Sequence, residues 1–151
     1  LITGFLSCIY QCLDSSTKYI INGDILCTTI TGGIEFSWDN LMVEKEVEIN
    51  SIATTGGIEM SFKQHKMVIG NITVNVEVVT GGINFLVDAK GDLGVKITSS
   101  VNTGGIDVNR QVGFSGAGAL LQSTNYPTGY NFEVTLETST GGISIDAKYI
   151  P

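Results

Sequence analysis

Between Ile20 and Ala147 apolar and polar residues alternate in five stretches, and each stretch runs into the tetrapeptide Thr-Gly-Gly-Ile. The tetrapeptide starts at Thr31, Thr55, Thr80, Thr103 and Thr140, at intervals of 24, 25, 23 and 37 residues. Counting back from each Thr, the even positions hold Ile25 and Cys27; Val47, Ile49 and Ala53; Ile72, Val74, Val76 and Val78; Val95, Ile97 and Val101; and Phe132, Val134 and Leu136. The odd positions between them are mostly polar, with Leu26, Ile30, Ile52 and Val79 as exceptions. A period of two with one apolar face predicts a β-strand buried on one side.

Beyond the glycines the alternation resumes with Ile34, Ile58, Ile83, Ile106 and Ile143, then Phe36, Met60, Phe85, Val108 and Ile145, then Trp38, Phe62, Val87, Arg110 and Ala147. This predicts a second strand in every unit. Arg110 alone breaks the inward column, and its head group is expected to escape to solvent or to pair with a carboxylate while its stem packs. Thr and Ile are three apart and both are assigned inward, so the glycine pair must reverse or bend the chain, with positive φ at the turn. Thr31, Gly32, Gly33, Thr55, Gly56, Gly57, Thr80, Gly81, Gly82, Thr103, Gly104, Gly105, Thr140, Gly141 and Gly142 are therefore the candidate structural turns.

Repeats at this period mean stacked units. The expected fold is all-β: a single-domain β-solenoid, parallel β-helix-like, of about five coils with two strands per coil. A stacked β-hairpin meander, with Gly-Gly as a two-residue hairpin loop, is the alternative. Whole columns repeat from unit to unit, which favours coils stacked in register. Residues 20–151 form the repeat domain, and residues 1–19 an N-terminal apolar cap or anchor remnant. The apolar run 1–13 is too short for a bilayer-spanning helix, which needs about 20 residues.

The segments returning the chain to the next unit vary, and the longest, 112–130, carries four glycines and Pro127. Its Leu120, Leu121, Tyr126 and Tyr130 make it the candidate interaction loop, against the plainer reading that they cover one side of the core.

Composition narrows the function. Glycine numbers 19 and the charged fraction is 15%, against a usual value of about 25%, which disfavours solvated helices. A net charge of -7 argues against nucleic acid as a partner, because binding phosphates relies on Lys and Arg displacing counterions. Three cysteines, Cys8, Cys12 and Cys27, leave at least one thiol unpaired, and Cys27 reads as a small buried hydrophobe. Cys8 and Cys12 lack the partners of a zinc set, and the single histidine, His65, falls in a variable turn between lysines and reads as solvated. No catalytic motif is present; catalytic, cofactor-binding and metal residues are all expected to be none. The column Glu35, Glu59, Asn84, Asp107 would place like charges about 4.8 Å apart, a calcium-recruiting arrangement weighed against plain solvated carboxylates.

The strand pattern, the Thr-Gly-Gly-Ile turns and the last unit Asn131 to Ile143 resemble the putative-adhesin β-strand-repeat family of bacteria and archaea. The resemblance spans about Ile20 to Ala147. It implies a right-handed β-solenoid, often tethered to the cell envelope, with no catalytic residues to carry over. The expected function is a non-enzymatic structural or adhesive module at the cell envelope or outside the cell, binding a protein or cell-surface macromolecule, with membrane contact only through an N-terminal anchor. The alternatives are a self-assembling filament or oligomer subunit joined through solenoid ends, and a polysaccharide-acting hydrolase or lyase; a cytoplasmic location is the alternative for placement.

Overall fold

The computed structural model describes residues 8–11, 20–21, 25–40, 42–43, 46–65 and 70–151, with side chains described in 25–40, 46–65 and 70–151. The strands are β1 (Cys8–Gln11), β2 (Ile20–Ile21), β3 (Ile25–Thr31), β4 (Ile34–Asp39), β5 (Met42–Val43), β6 (Val47–Gln64), β7 (Ile72–Lys90), β8 (Leu93–Val112), β9 (Phe114–Ala117), β10 (Leu120–Ser123) and β11 (Tyr130–Ile150). The expected N-terminal cap or anchor remnant, residues 1–19, lies outside the described residues except at Cys8–Gln11. Among the described residues the chain is all-β, with one open nine-stranded sheet and a two-stranded pair of β2 and β5.

Units two to five each run as one strand of 18 to 21 residues through the glycine pair. Only the first unit divides there, into β3 and β4. Neighbouring units pair parallel and in register, Thr55 with Thr80, Gly56 with Gly81 and Ile58 with Ile83. A Gly-Gly hairpin would pair its own two arms antiparallel, so the meander is excluded.

The bend occurs at the first glycine, where φ is +139° at Gly56 and +142° at Gly81. The expected positive φ is present, but the threonines face outward. Thr31, Thr55, Thr80, Thr103 and Thr140 are all exposed, and the buried positions flanking the bend are five apart, Ala53 and Ile58 in β6. The turn thus takes up four outward residues, not two.

Each bent strand has a first limb before the glycines and a second after them, and the two enclose one core. The ring of Phe62, near the end of β6, lies 5.0 Å from that of Phe132, at the start of β11. A second-limb side chain thereby meets a first-limb side chain of another unit across the interior. Trp38, Phe62 and Phe85 continue this aromatic row with centroid distances of 5.0 and 5.7 Å. The folding back also explains how β7 connects to the parallel β8 through only Gly91 and Asp92. Parallel strands ordinarily need a crossover of a dozen or more residues; a strand that returns upon itself ends near where the next begins.

The units do not follow one another in space. The order is β4-β6-β7-β11-β8, so the last unit is inserted between the third and fourth. The fourfold sheet ladder from Thr55 runs through Thr80 and Thr140 to Thr103. The 37-residue interval supplies the chain for this. After β8, the β9–β10 hairpin pairs antiparallel on the far side of the first limb of β8. The chain then passes over the β7–β8 connection, where Asn125 Nδ2 donates to the carbonyls of Gly91 and Leu93 and Thr128 Oγ1 to that of Asp92. That path brings it back to the gap that β11 fills.

At its other end β11 is closed by two bonds, the Gly91 amide to the Ile150 carbonyl at 3.0 Å and the Tyr149 hydroxyl to the Gly91 carbonyl at 2.6 Å. Burial, with the nearby Asp92 charge second, raises the Tyr149 pKa above its ordinary 10.0. The folded state thus holds this proton more tightly than the unfolded chain, so the stability it contributes is full below about pH 10 and lost as pH rises through the folded value. Tyr149→Phe is expected to cost about 1 kcal/mol at neutral pH and to flatten the decline in stability above pH 10, read from urea midpoints against pH.

Arg110 reaches solvent as expected, through a bulge, while Cys27 departs from expectation. The register slips between Ile145 and Asp146, so that Arg110 stands opposite Asp146 and Gln111 opposite Ala147. This bulge takes Arg110 out of the inward column and leaves it exposed. Cys27 is buried as expected but is disulfide-bonded, not a free thiol. Its partner lies outside the residues whose side chains are described. With three cysteines in the chain and two consumed by one bond, the unfolded, unreduced protein should show one titratable thiol and the reduced protein three. Three before reduction would refute the bond.

Ser51 and Ser99 bury hydroxyls that have no hydrogen-bond partner among the described residues. An unsatisfied buried hydroxyl costs about 1–3 kcal/mol, so Ser51→Ala should raise the urea midpoint.

Candidate functional site

Because the units stack in register, the residues just after the bend form files running across the sheet. Gly33, Gly57, Gly82, Gly142 and Gly105 make one file, the isoleucines beside them a second, and Glu35, Glu59, Asn84, Ser144 and Asp107 a third. Together these files line a groove of about 900 Å³. Five strands at a spacing of about 4.8 Å make it about 19 Å long. The floor is the backbone of the glycines and of the isoleucines, whose side chains turn into the core at Ile34, Ile58, Ile83 and Ile143; the third file supplies three carboxylates, one amide and one hydroxyl. Among the described residues no Lys, Arg or His lines the groove.

The two glycines of each unit have different roles. A Cβ on Gly56 would collide with the carbonyl oxygen of Gly32, and one on Gly81 with that of Gly56. Close approach and positive φ both demand glycine there. At Gly57 and Gly82 the backbone is not in the positive-φ region, and a Cβ would sit 3.5 Å from the next carbonyl oxygen, an ordinary contact. The fold accepts a side chain at the second position, and the sequence puts none there.

That distinction is invisible in the repeat itself, where all the glycines read as turn residues. The only available signal was that one glycine per turn would have sufficed. The carboxylate file was foreseen, but with Asn84 next to Asp107; the inserted β11 places Ser144 between them. Glu35 and Glu59 are direct neighbours, as expected. Among the described residues no cluster of His, Cys, Asp and Glu is arranged to hold a metal ion.

The chain shares its fold with a protein of known structure. The crystal structure of "a putative cell adhesion protein" from Clostridium sporogenes superposes with a TM-score of 0.62 and 22% identity. The match covers 85% of this chain and 55% of the other, so this chain spans little more than half of that protein's length. At that identity the likeness establishes the fold. Comparison with protein-family models finds no match, and neither does comparison with curated proteins.

The candidate loop is divided among separate tasks. Leu121 is fully buried in the core, and Tyr126 donates to Glu133 Oε1 at 2.5 Å, with Lys96 Nζ 6.0 Å from its ring centre. The Glu133 hydrogen bond, more than burial, raises the Tyr126 pKa. Leu120 and Tyr130 are exposed, but they sit at the levels of Thr98 and Leu93. Five residues of strand, about 17 Å, separate those levels, so the structure does not bring the four together. The fifteen turn residues are brought together, at the bend beside the groove. His65 Nε2 lies 3.0 Å from Asp88 Oδ1, and Lys148 Nζ 3.9 Å from the other oxygen of that carboxylate. His65 is exposed, as expected, and in addition contacts the second limb of β7. No helix among the described residues is long and apolar enough to cross a membrane.

Proposed function

We propose that this domain is a non-enzymatic adhesive module at the cell envelope, wound in the manner of a solenoid with one coil out of sequence, and that it binds a macromolecular partner along the groove. The observation that carries this reading is the groove itself. Five units contribute the same three positions to one continuous surface, which suits a long ligand better than a compact substrate. Repetition of identical backbone supplies length, whereas catalysis needs unlike groups converging on one point.

Two further observations support it. Disulfides persist in oxidising compartments and are rare in the cytosol, so the bond at Cys27 favours an exported protein. The neighbouring fold belongs to a protein described in terms of cell adhesion. Self-assembly through the sheet end is less favoured, because the second limb of β8 carries a bulge and an exposed Arg110, both of which discourage strand addition.

The test is saturable retention of the labelled domain on intact cells or on immobilised extracellular proteins, beside a turnover assay on acidic polysaccharides. Retention without turnover is the expected result. Turnover that survives repurification would overturn the non-enzymatic reading, and failure to bind any surface would overturn the adhesive one.

A further inference from the structure

We infer that the groove seats an extended, cationic peptide segment whose lysine or arginine side chains face the carboxylate file; this rests on the adhesive reading above and names its partner by chemistry. Charge complementarity selects the occupant. Glu35, Glu59 and Asp107 lie along one side, and among the described residues no cationic side chain lines the groove. Like charges directly opposite on neighbouring strands destabilise a sheet, and Glu35 faces Glu59 in register. An ammonium or guanidinium between them would relieve that repulsion and gain charge-assisted hydrogen bonds.

Steric form selects an extended main chain. The floor glycines Gly57 and Gly82 are not required by backbone conformation or by packing, since a Cβ at either meets only ordinary contacts. A floor without side chains lets a second backbone approach the sheet closely, as glycine does wherever backbone meets ligand. A peptide at about 3.3 Å per residue would need about six residues to traverse the groove. Its alternate side chains would point towards the carboxylates and away from them.

The test is fluorescence anisotropy with labelled octalysine, with octaglutamate and a neutral glucan oligosaccharide as comparison probes. Wild type should bind octalysine saturably and bind neither of the others. Filling the floor with Gly57→Leu and Gly82→Leu together, or neutralising the file with Glu35→Gln, Glu59→Gln and Asp107→Asn, should each weaken binding by about tenfold or more. Removing three carboxylates on or just before the first limbs with Glu46→Gln, Glu77→Gln and Glu137→Gln should change it by less than about threefold. Should the leucine pair lower the urea midpoint, the alanine pair at the same positions gives a fold-neutral comparison with a smaller loss in the same direction.

Equal losses from the two charge sets would mean attraction to the net charge of -7 alone, and would overturn the inference. Glucan binding in place of octalysine would overturn the cationic class, and retention of the domain on cells unaffected by the floor-filling pair would overturn the groove as the binding site. Octalysine binding with the expected variant pattern, in a domain that no cell or extracellular surface retains, would leave the groove assignment standing and overturn the adhesive reading.

Discussion

Gly56→Val and Gly81→Val should each lower stability by at least about 3 kcal/mol, whereas Gly57→Ala and Gly82→Ala should be neutral or stabilising by up to about 1 kcal/mol. At the first glycine two penalties combine. A backbone at φ +139° or +142° is one that a β-branched residue resists, and the new Cβ would enter the carbonyl oxygen of the neighbouring unit. Relief of the second penalty requires the strands to separate, which breaks the ladder that holds the units in register. At the second glycine neither penalty exists, and alanine lowers the entropy of the unfolded chain. Urea midpoints of the four variants measure the contrast. Similar midpoints for Gly56→Val and Gly57→Ala would refute the division of roles between the glycines.

Removal of residues 130–151 should abolish cooperative unfolding altogether. β11 pairs with β7 on one side and β8 on the other through most of its 21 residues. Without it, β8 and the β9–β10 hairpin lose their ladder to the other units. The side chains of Phe132, Val134, Leu136, Ile143, Ile145 and Tyr149 also leave the core together. Deleting an edge strand would shorten the stack; deleting this one cuts it in two. Thermal melts followed by circular dichroism check the outcome, and a sharp transition in the truncated protein would show that β7 and β8 can close the gap between them.

The alternation of Val47, Ile49 and Ala53, and its recurrence in every unit, made the strand class and the in-register stacking legible, because one buried face imposes a period of two and like residues stack on like. The order of the units was not legible, for the same reason. Any Thr-Gly-Gly-Ile unit is an equally good neighbour for any other, so the columns cannot say which lies beside which; only the long interval before Thr140 hinted that the last unit travels. Outward-facing Thr55 was misassigned because φ at Gly56 changes which residues face inward, and that is not a property of hydrophobic pattern. Arg110 was read as a core exception, since a one-residue bulge reverses sidedness without leaving a mark in composition. Of the groove, the acidic file was visible and the floor was not: the second glycine reads as a turn residue until the space around it is known.

The insertion of β11 also determines how the domain would bear load. Its ladder bonds lie across the strand direction on both sides, so a pull along β11 from Ile150 acts on both rows in shear. Such a pull must strain many bonds at once, where peeling an edge strand would open them one by one. Flanked on both sides, β11 resists such a pull better than an edge strand would, and tension applied at Ile150 would be shared by β7 and β8 together.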